Sequence, residues 1–159
     1  MKRPDQPASK ALALTLVTLQ FALLAALVAA AIPSLMQPDG RYGAWLAFAS
    51  GGGLGAWSLA ANRIGNFNIQ PIPRQGGLLI CSGPYRWIRH PMYSAVMLVG
   101  LGCALAARGN TFILALALEF ALFGVLLAKA VVEEHWMQLS HPAYAAYKSR
   151  TKRFLPGVF

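Results

Sequence analysis

The sequence predicts an all-α integral membrane protein with four transmembrane helices. Three observations carry that reading: the abundance of apolar residues, their collection into long stretches, and the one-sided placement of basic charge. Hydrophobic residues make up 57% of the chain and charged residues only 12%, more apolar than an ordinary soluble domain. Four apolar stretches occupy 11–32, 42–61, 91–107 and 111–132, and a helix needs roughly 20 such residues to cross the hydrocarbon core. Lipid offers no partners to backbone N–H and C=O groups, so spanning segments must be helices or barrel strands, and these are too long for strands. What remains is too little polar sequence to cover four buried helices in water. The expected organisation is a single membrane domain over 1–159, with 133–159 following the last span.

The first stretch exceeds the roughly 7–15 apolar residues of a signal peptide and three more stretches follow it, so it reads as an uncleaved helix. The third is short. The turn after it, Arg108 to Asn110, makes the last two helices an antiparallel hairpin, which returns the start of the third and the end of the fourth to one face of the membrane.

Orientation follows from the charge. The net charge is +9, and all 14 Lys and Arg residues except Arg41 and Arg108 lie before the first span, between the second and third, or at and beyond the end of the fourth. The positive-inside rule then puts both termini and the middle loop in the cytoplasm, as a multi-pass protein of a bacterial inner membrane. Anionic headgroups and this rule account for the basic charge, so no nucleic-acid partner is expected. Cys81 and Cys103 show no metal-ligand spacing, and no metal site is expected. Gly51-Gly52-Gly53-Leu54-Gly55 lies inside an apolar span with no strand before it, which reads as close helix packing through Gly51 and Gly55 rather than a phosphate loop. Glu119 is the one acid inside a span. Either it has a functional role or it holds helices together by a hydrogen bond, with Gln20 or Thr18 as partners.

Two polar constellations flank the hairpin. The first is Gly83-Pro84-Tyr85-Arg86-Trp87-Ile88-Arg89-His90-Pro91-Met92-Tyr93. Pro91 suits the first turn of a helix, whose free N–H groups attract anions, and Arg86, Arg89 and His90 add positive charge there. These residues suit a small anionic ligand group or, equally, anchorage to lipid phosphates. The second is Glu133-Glu134, followed by Tyr144, Tyr147, Arg150 and Arg153. Two adjacent acids in a chain with five suggest a cationic ligand, or salt bridges to Lys129, Arg86 or Arg89.

Taken in order, Gly83-Pro84-Tyr85-Arg86, Arg89-His90-Pro91, Tyr93, Glu133-Glu134, His141-Pro142, Tyr144, Tyr147, Arg153-Phe154 and Pro156 resemble the isoprenylcysteine carboxyl methyltransferase family and its bacterial relatives. The related phospholipid N-methyltransferases share the arginine-histidine-proline element and the glutamate pair. The resemblance covers about residues 62–156. It implies a membrane methyltransferase that binds S-adenosylmethionine between the entry to the third helix and the C-terminal segment. The cofactor-binding residues it implies are Tyr85, Arg86, Arg89, His90, Pro91, Tyr93, Glu133, Glu134, Tyr144 and Tyr147. Arg89, His90 and the helix start suit the cofactor's carboxylate, Glu134 with Glu133 near suits its ammonium, and Tyr93, Tyr144 and Tyr147 suit its adenine and sulfonium. The sequence departs from the family's usual residues at Cys81, Met137 and His141-Pro142.

Transfer from a sulfonium needs alignment and exclusion of water more than a strong base. A carboxylate acceptor could be oriented by Arg150 or Arg153, whereas an amine or thiol must lose a proton, with Glu134 or His90 as the base. The expected partner is a lipophilic acceptor entering from the bilayer, beside the mixed loop 62–73. The leading expectation is carboxyl methylation of an isoprenylcysteine-like molecule. Phospholipid N-methylation, small-thiol methylation, a nicotinamide-dependent membrane reductase and a non-enzymatic scaffold are the alternatives.

Overall fold

The computed structural model describes residues 7–37, 41–62, 70 and 77–158. Among the described residues five α-helices follow one another: α1 (Pro7–Leu35), α2 (Tyr42–Ala61), α3 (Pro91–Ala106), α4 (Asn110–Ser140) and the short α5 (Tyr144–Arg150), with a 3-10 turn at Gly83–Arg86 before α3. No strand forms among the described residues; one parallel bridge joins Ile88 to Lys152. The loop expected at 62–73, with Arg63 and Arg74, falls almost wholly outside the described residues, as do Lys2 and Arg3.

α3 is the central helix: it packs along α2 on one side and against α1 and α4 on the other, while α1 lies along α4. The small residues of α2 and α3 let them approach closely, as expected for helices in lipid. Gly51 is buried, and a Cβ there would stand 2.9 Å from the Ala95 carbonyl oxygen. Gly55 is less crowded, with Ala95 Cβ at 3.6 Å from the same position.

Two helices, Lys10–Leu35 and Asn110–Ser140, are long and apolar enough to cross a membrane. Only 22% and 17% of their most apolar windows are buried inside the protein, whereas the core helix of a soluble domain is mostly covered. Leu14, Phe21, Ile113 and Phe120 are instead on the surface. α3 is apolar but shorter, and the glycines and serines of α2 lower its hydropathy. The expected set of four spans therefore exceeds what length and composition alone support.

The fourth helix differs most from expectation. It does not stop near 132 but runs unbroken to Ser140, so Glu133 and Glu134 lie on a helix rather than in a following segment. Residues 132–140 contain no Gly or Pro, and Glu, Met, Gln and Leu sustain a helix well. His141 leaves the helix in an extended conformation, and Pro142 follows. At 31 residues the helix is about 46 Å long, well beyond a hydrocarbon core of roughly 30 Å. Its last turns can therefore carry polar side chains.

The hairpin between α3 and α4 forms as expected. Gly109 takes φ 52 and the Thr111 hydroxyl donates to the Arg108 carbonyl at 2.6 Å. At the same end of the bundle Arg108 donates to Gln37 Oε1 at 2.8 Å, and Arg41 Nη1 donates to the Ala106 carbonyl. The two basic residues assigned to the far side thus sit together, at the end opposite Pro91.

The packing of α2 on α3 can be tested directly. Gly51→Ala should destabilise the protein by about 1–3 kcal/mol, since the Ala95 carbonyl must move. Gly52→Ala meets nothing within 4 Å and should be neutral or slightly stabilising. Thermal unfolding in detergent separates the two, and an equal loss in both would rule out Gly51 as the contact point.

Candidate functional site

Both motif segments meet at the end of the bundle where α3 begins. The turn that leads into α3 starts at Gly83, whose φ is 58 and whose missing side chain matters, because a Cβ would lie 2.6 Å from Ala61 Cβ on α2. Pro91 occupies the first turn of α3, where no N–H is needed. The extended stretch between them pairs with the C-terminal segment. Arg89 N–H donates to the Lys152 carbonyl at 2.8 Å, His90 N–H to the Arg153 carbonyl at 3.1 Å, and Lys152 N–H to the Trp87 carbonyl at 3.0 Å. Ser94 Oγ donates to the Phe154 carbonyl at 2.7 Å, and Tyr147 donates its hydroxyl to the Tyr85 carbonyl at 2.8 Å.

Glu134 is the electrostatic centre of this junction. Its side chain is only 3% exposed. Arg89 Nε and Arg153 Nε each donate to its Oε1 at 2.9 Å, and Lys148 Nζ is 3.1 Å from its Oε2. Arg89 also donates through Nη1 to the carbonyls of Lys148 and Thr151, which fixes the end of α5. His90 Nε2 stands 3.4 Å from Glu134 Oε1 without hydrogen-bond alignment. The Arg153 guanidinium is held above its ordinary pKa, chiefly by its hydrogen bonds to Glu134.

Glu133 faces a different space. With a side chain 33% exposed, it accepts the Tyr93 hydroxyl at 2.9 Å and lies 3.6 Å from His90 Nδ1. The His90 and Tyr93 rings stack at 5.3 Å and 3°. Behind Tyr93, Lys129 Nζ sits 5.1 Å from the ring centroid and donates to Gln20 Oε1 of α1. Gln20, one of the partners expected for Glu119, is thus engaged by Lys129. Tyr85, Arg89, His90, Pro91, Tyr93 and Glu133 line a niche of about 60 Å³ together with Met92. Burial, with the Glu133 charge second, pushes the Tyr85 hydroxyl up to about 12.

The remaining expected site residues lie around this niche rather than in it. Tyr144 and Tyr147 are buried beneath the C-terminal segment, and burial raises both hydroxyls well above the ordinary tyrosine value. Arg86 rests over the Trp87 ring at 4.9 Å. Arg150 is exposed, with Nε donating to the Ala146 carbonyl. Ser94, Lys148 and Thr151 were not singled out in the sequence, yet they help close the junction. Only the spacing of Ser94, one helical turn after His90, hinted at such a role.

A second, larger space adjoins the niche. About 500 Å³ in volume, it is bounded by α2, α3, α4 and the tail, with Trp57, Trp87, Met97, Phe123, Phe154 and Leu155 among its walls. The buried Phe154 packs edge-on to His90, with ring centroids 6.0 Å apart. His90 lines the polar niche and Phe154 the apolar cavity, so their ring contact links the two spaces.

The niche offers cationic, acidic and aromatic groups within a few ångströms, the chemistry that a zwitterionic amino-acid group requires. Arg89 and Glu133 line the niche, and Lys148, Arg153 and Glu134 lie behind it, so the junction as a whole holds three cations to two acids. The size of the niche is well below the roughly 300–1,000 Å³ of ordinary ligand pockets, so a cofactor-sized ligand requires its walls to part. Among the described residues no three His, Cys, Asp or Glu side chains gather to hold a metal.

The chain is 35% identical over 85 residues to the cobalt-zinc-cadmium resistance protein CzcN of Cupriavidus metallidurans. It is 34% identical over 85 residues to the nickel-cobalt-cadmium resistance protein NccN of Alcaligenes xylosoxydans xylosoxydans. Each match takes in 52% of this chain and spans only 38% of the relative's length. Residues 41–143, more than half of the chain, match the phospholipid methyltransferase family, and they include the turn before α3, the hairpin and the glutamate pair. With its apolar helices and this match, the chain is a membrane protein belonging to the phospholipid methyltransferase family.

Proposed function

We propose that the protein is an S-adenosylmethionine-dependent methyltransferase acting on a lipophilic acceptor, with carboxyl methylation of an isoprenylcysteine-like molecule as the leading reaction. The observation that carries this reading is the ring contact between His90, which lines a charged, aromatic niche, and Phe154, which lines a large apolar cavity. Methyl transfer between a polar donor and a lipid-soluble acceptor needs two such compartments side by side.

S-adenosylmethionine would supply a methyl group already activated on a sulfonium. The protein's work is to bind, align and exclude water. In the niche, Arg89, His90 and the positive end of the α3 dipole suit a carboxylate. Glu133 is the acid proposed for the ammonium, because it faces the niche while Glu134 is already shared among three cations. Tyr85 and Tyr93 supply aromatic surface for the cationic sulfur. Arg150, exposed on α5, and Arg153, beside Glu134, are the candidates to orient an acceptor carboxylate, which as a nucleophile needs no general base. An amine acceptor remains the second reading, since the family takes its name from phospholipids; Glu133 or His90 would then receive its proton.

The proposed topology puts both termini and this junction in the cytoplasm. Reporter fusions to the two ends should agree in marking that side, and an exported C-terminus would remove the site from the cofactor's compartment.

Titration of the purified protein should show binding of S-adenosylmethionine. Glu133→Gln should weaken it roughly tenfold to a hundredfold, the value of one charged hydrogen bond. S-adenosylhomocysteine keeps the amino-acid end and should lose a similar factor. Tight binding of a reduced nicotinamide cofactor instead would move the protein to the reductases. Incubation with labelled S-adenosylmethionine and native lipid extract should yield a labelled lipid, and a water-soluble product would exclude a lipophilic acceptor.

Glu134→Gln should act through the fold. It leaves Arg89 and Arg153 without a buried counter-charge, at a cost of about 3–5 kcal/mol. Tryptic cleavage after Lys148, Arg150, Lys152 or Arg153 should accelerate as the tail detaches. If cofactor binding fell with no change in cleavage, Glu134 would be a direct ligand contact instead.

A further inference from the structure

The apolar cavity has one wall residue that hydrophobic packing does not explain. Glu119 lies within α4, and its Oε2 is buried with no hydrogen-bond partner among the described residues. The oxygen reaches α3 at a glycine: a Cβ on Gly100 would stand 2.0 Å from it. Gly100 thus makes room for the carboxyl group. Around it the cavity wall is apolar, with Met97, Leu98, Leu101 and Phe123 nearby in sequence on the two helices. A buried oxygen without a partner is costly in hydrocarbon, and an intramembrane acid facing a cavity has a ligand as its natural partner.

The number of donors narrows the ligand. An ammonium brings three N–H donors, more than one carboxyl group in an otherwise largely apolar lining can accept. A hydroxyl brings one donor and no charge, which the carboxyl group of Glu119 in the cavity wall can accept. Position narrows it further: Gly100 is nine residues along α3 from Pro91, roughly 13 Å at the helical rise. Glu119 therefore lies deep in the bilayer from the level of His90.

We propose that the cavity receives the chain of the methyl acceptor, and that Glu119 determines specificity by hydrogen-bonding a hydroxyl carried on that chain roughly 13 Å from its reacting end. Naming the occupant as the acceptor rests on the methyltransferase reading; the hydroxyl site itself rests on the cavity and Glu119.

Two probes of one chain length, dodecanoic acid and 12-hydroxydodecanoic acid, test this. Trp57 and Trp87 line the cavity with their rings 5.7 Å apart, so tryptophan fluorescence reports occupancy. The preference for the hydroxylated over the plain chain should fall roughly three- to tenfold in Glu119→Leu relative to the unaltered protein. Taking this ratio cancels the different partitioning of the probes into detergent. Glu119→Gln, which keeps an accepting oxygen, should retain the preference. Glu119→Ala provides a second apolar replacement should leucine not fit. An unchanged preference in the folded apolar variants would overturn the proposal, as would failure of either chain to alter the fluorescence. Methyl transfer is followed separately with labelled cofactor. Hydroxyl selectivity without any transfer would remove the methyltransferase reading and leave the hydroxyl site standing. Transfer without selectivity would remove the role of Glu119 alone.

Discussion

The Glu134 carboxylate holds together everything that distinguishes this end of the bundle. It sits on α4, Arg89 precedes α3, and Lys148 and Arg153 belong to α5 and the tail, so one buried acid ties together three parts of the chain. Burying so many charges carries a large desolvation penalty. Only mutual neutralisation and nearly complete hydrogen bonding make it tolerable. Here the second requirement is met by carbonyls at a helix end, which Arg89 reaches as it grips Glu134. The same geometry orders the backbone: with Arg89 and Arg153 fixed, residues 87–90 and 152–153 lie close enough to pair. Electrostatic and backbone order are thus coupled, and loss of either would release the tail.

That coupling separates the two acids. Adjacent residues on a helix point about 100° apart, so Glu133 cannot share the environment of Glu134. One is turned into the junction and neutralised, while the other is turned toward the niche and Tyr93. A site that must take up and release a ligand benefits from this arrangement, because the acid facing the ligand is not the acid that supports the fold. The sequence showed a pair of glutamates and could not assign their roles, since the rotation of α4 is invisible in a helix apolar nearly all round.

The same limit explains what else was and was not legible. The α3–α4 hairpin could be read because a short polar break between apolar runs has one geometric solution, and the meeting of the two motif segments followed from it. The extension of α4 to Ser140 was missed because the end of an apolar stretch was taken for the end of a helix, although nothing in 132–140 breaks one. The pairing of residues 87–90 with 152–153 leaves no alternating pattern to detect, because it is a single parallel bridge between segments far apart in the chain. The sequence offers Gln20 as a partner for Glu119, but in the structure Gln20 accepts from Lys129. Choosing between them requires the facing of α1 on α4, which composition does not encode.

Exchanging those partners has a consequence for the cavity. Were Gln20 bonded to Glu119, the carboxyl group would be turned toward α1 and the cavity would be apolar throughout. Lys129 engages Gln20 while lying against Tyr93, so α1 is tied to the niche instead. Glu119 is left to lie against Gly100 and to form part of the cavity wall. Two polar residues of α4, ten positions apart, thereby serve two compartments: Lys129 supports the aromatic wall of the niche, and Glu119 gives the cavity its polar point. The ring contact of His90 with Phe154 links the two compartments, while the acids that serve them, Glu133 and Glu119, stand fourteen residues apart on α4.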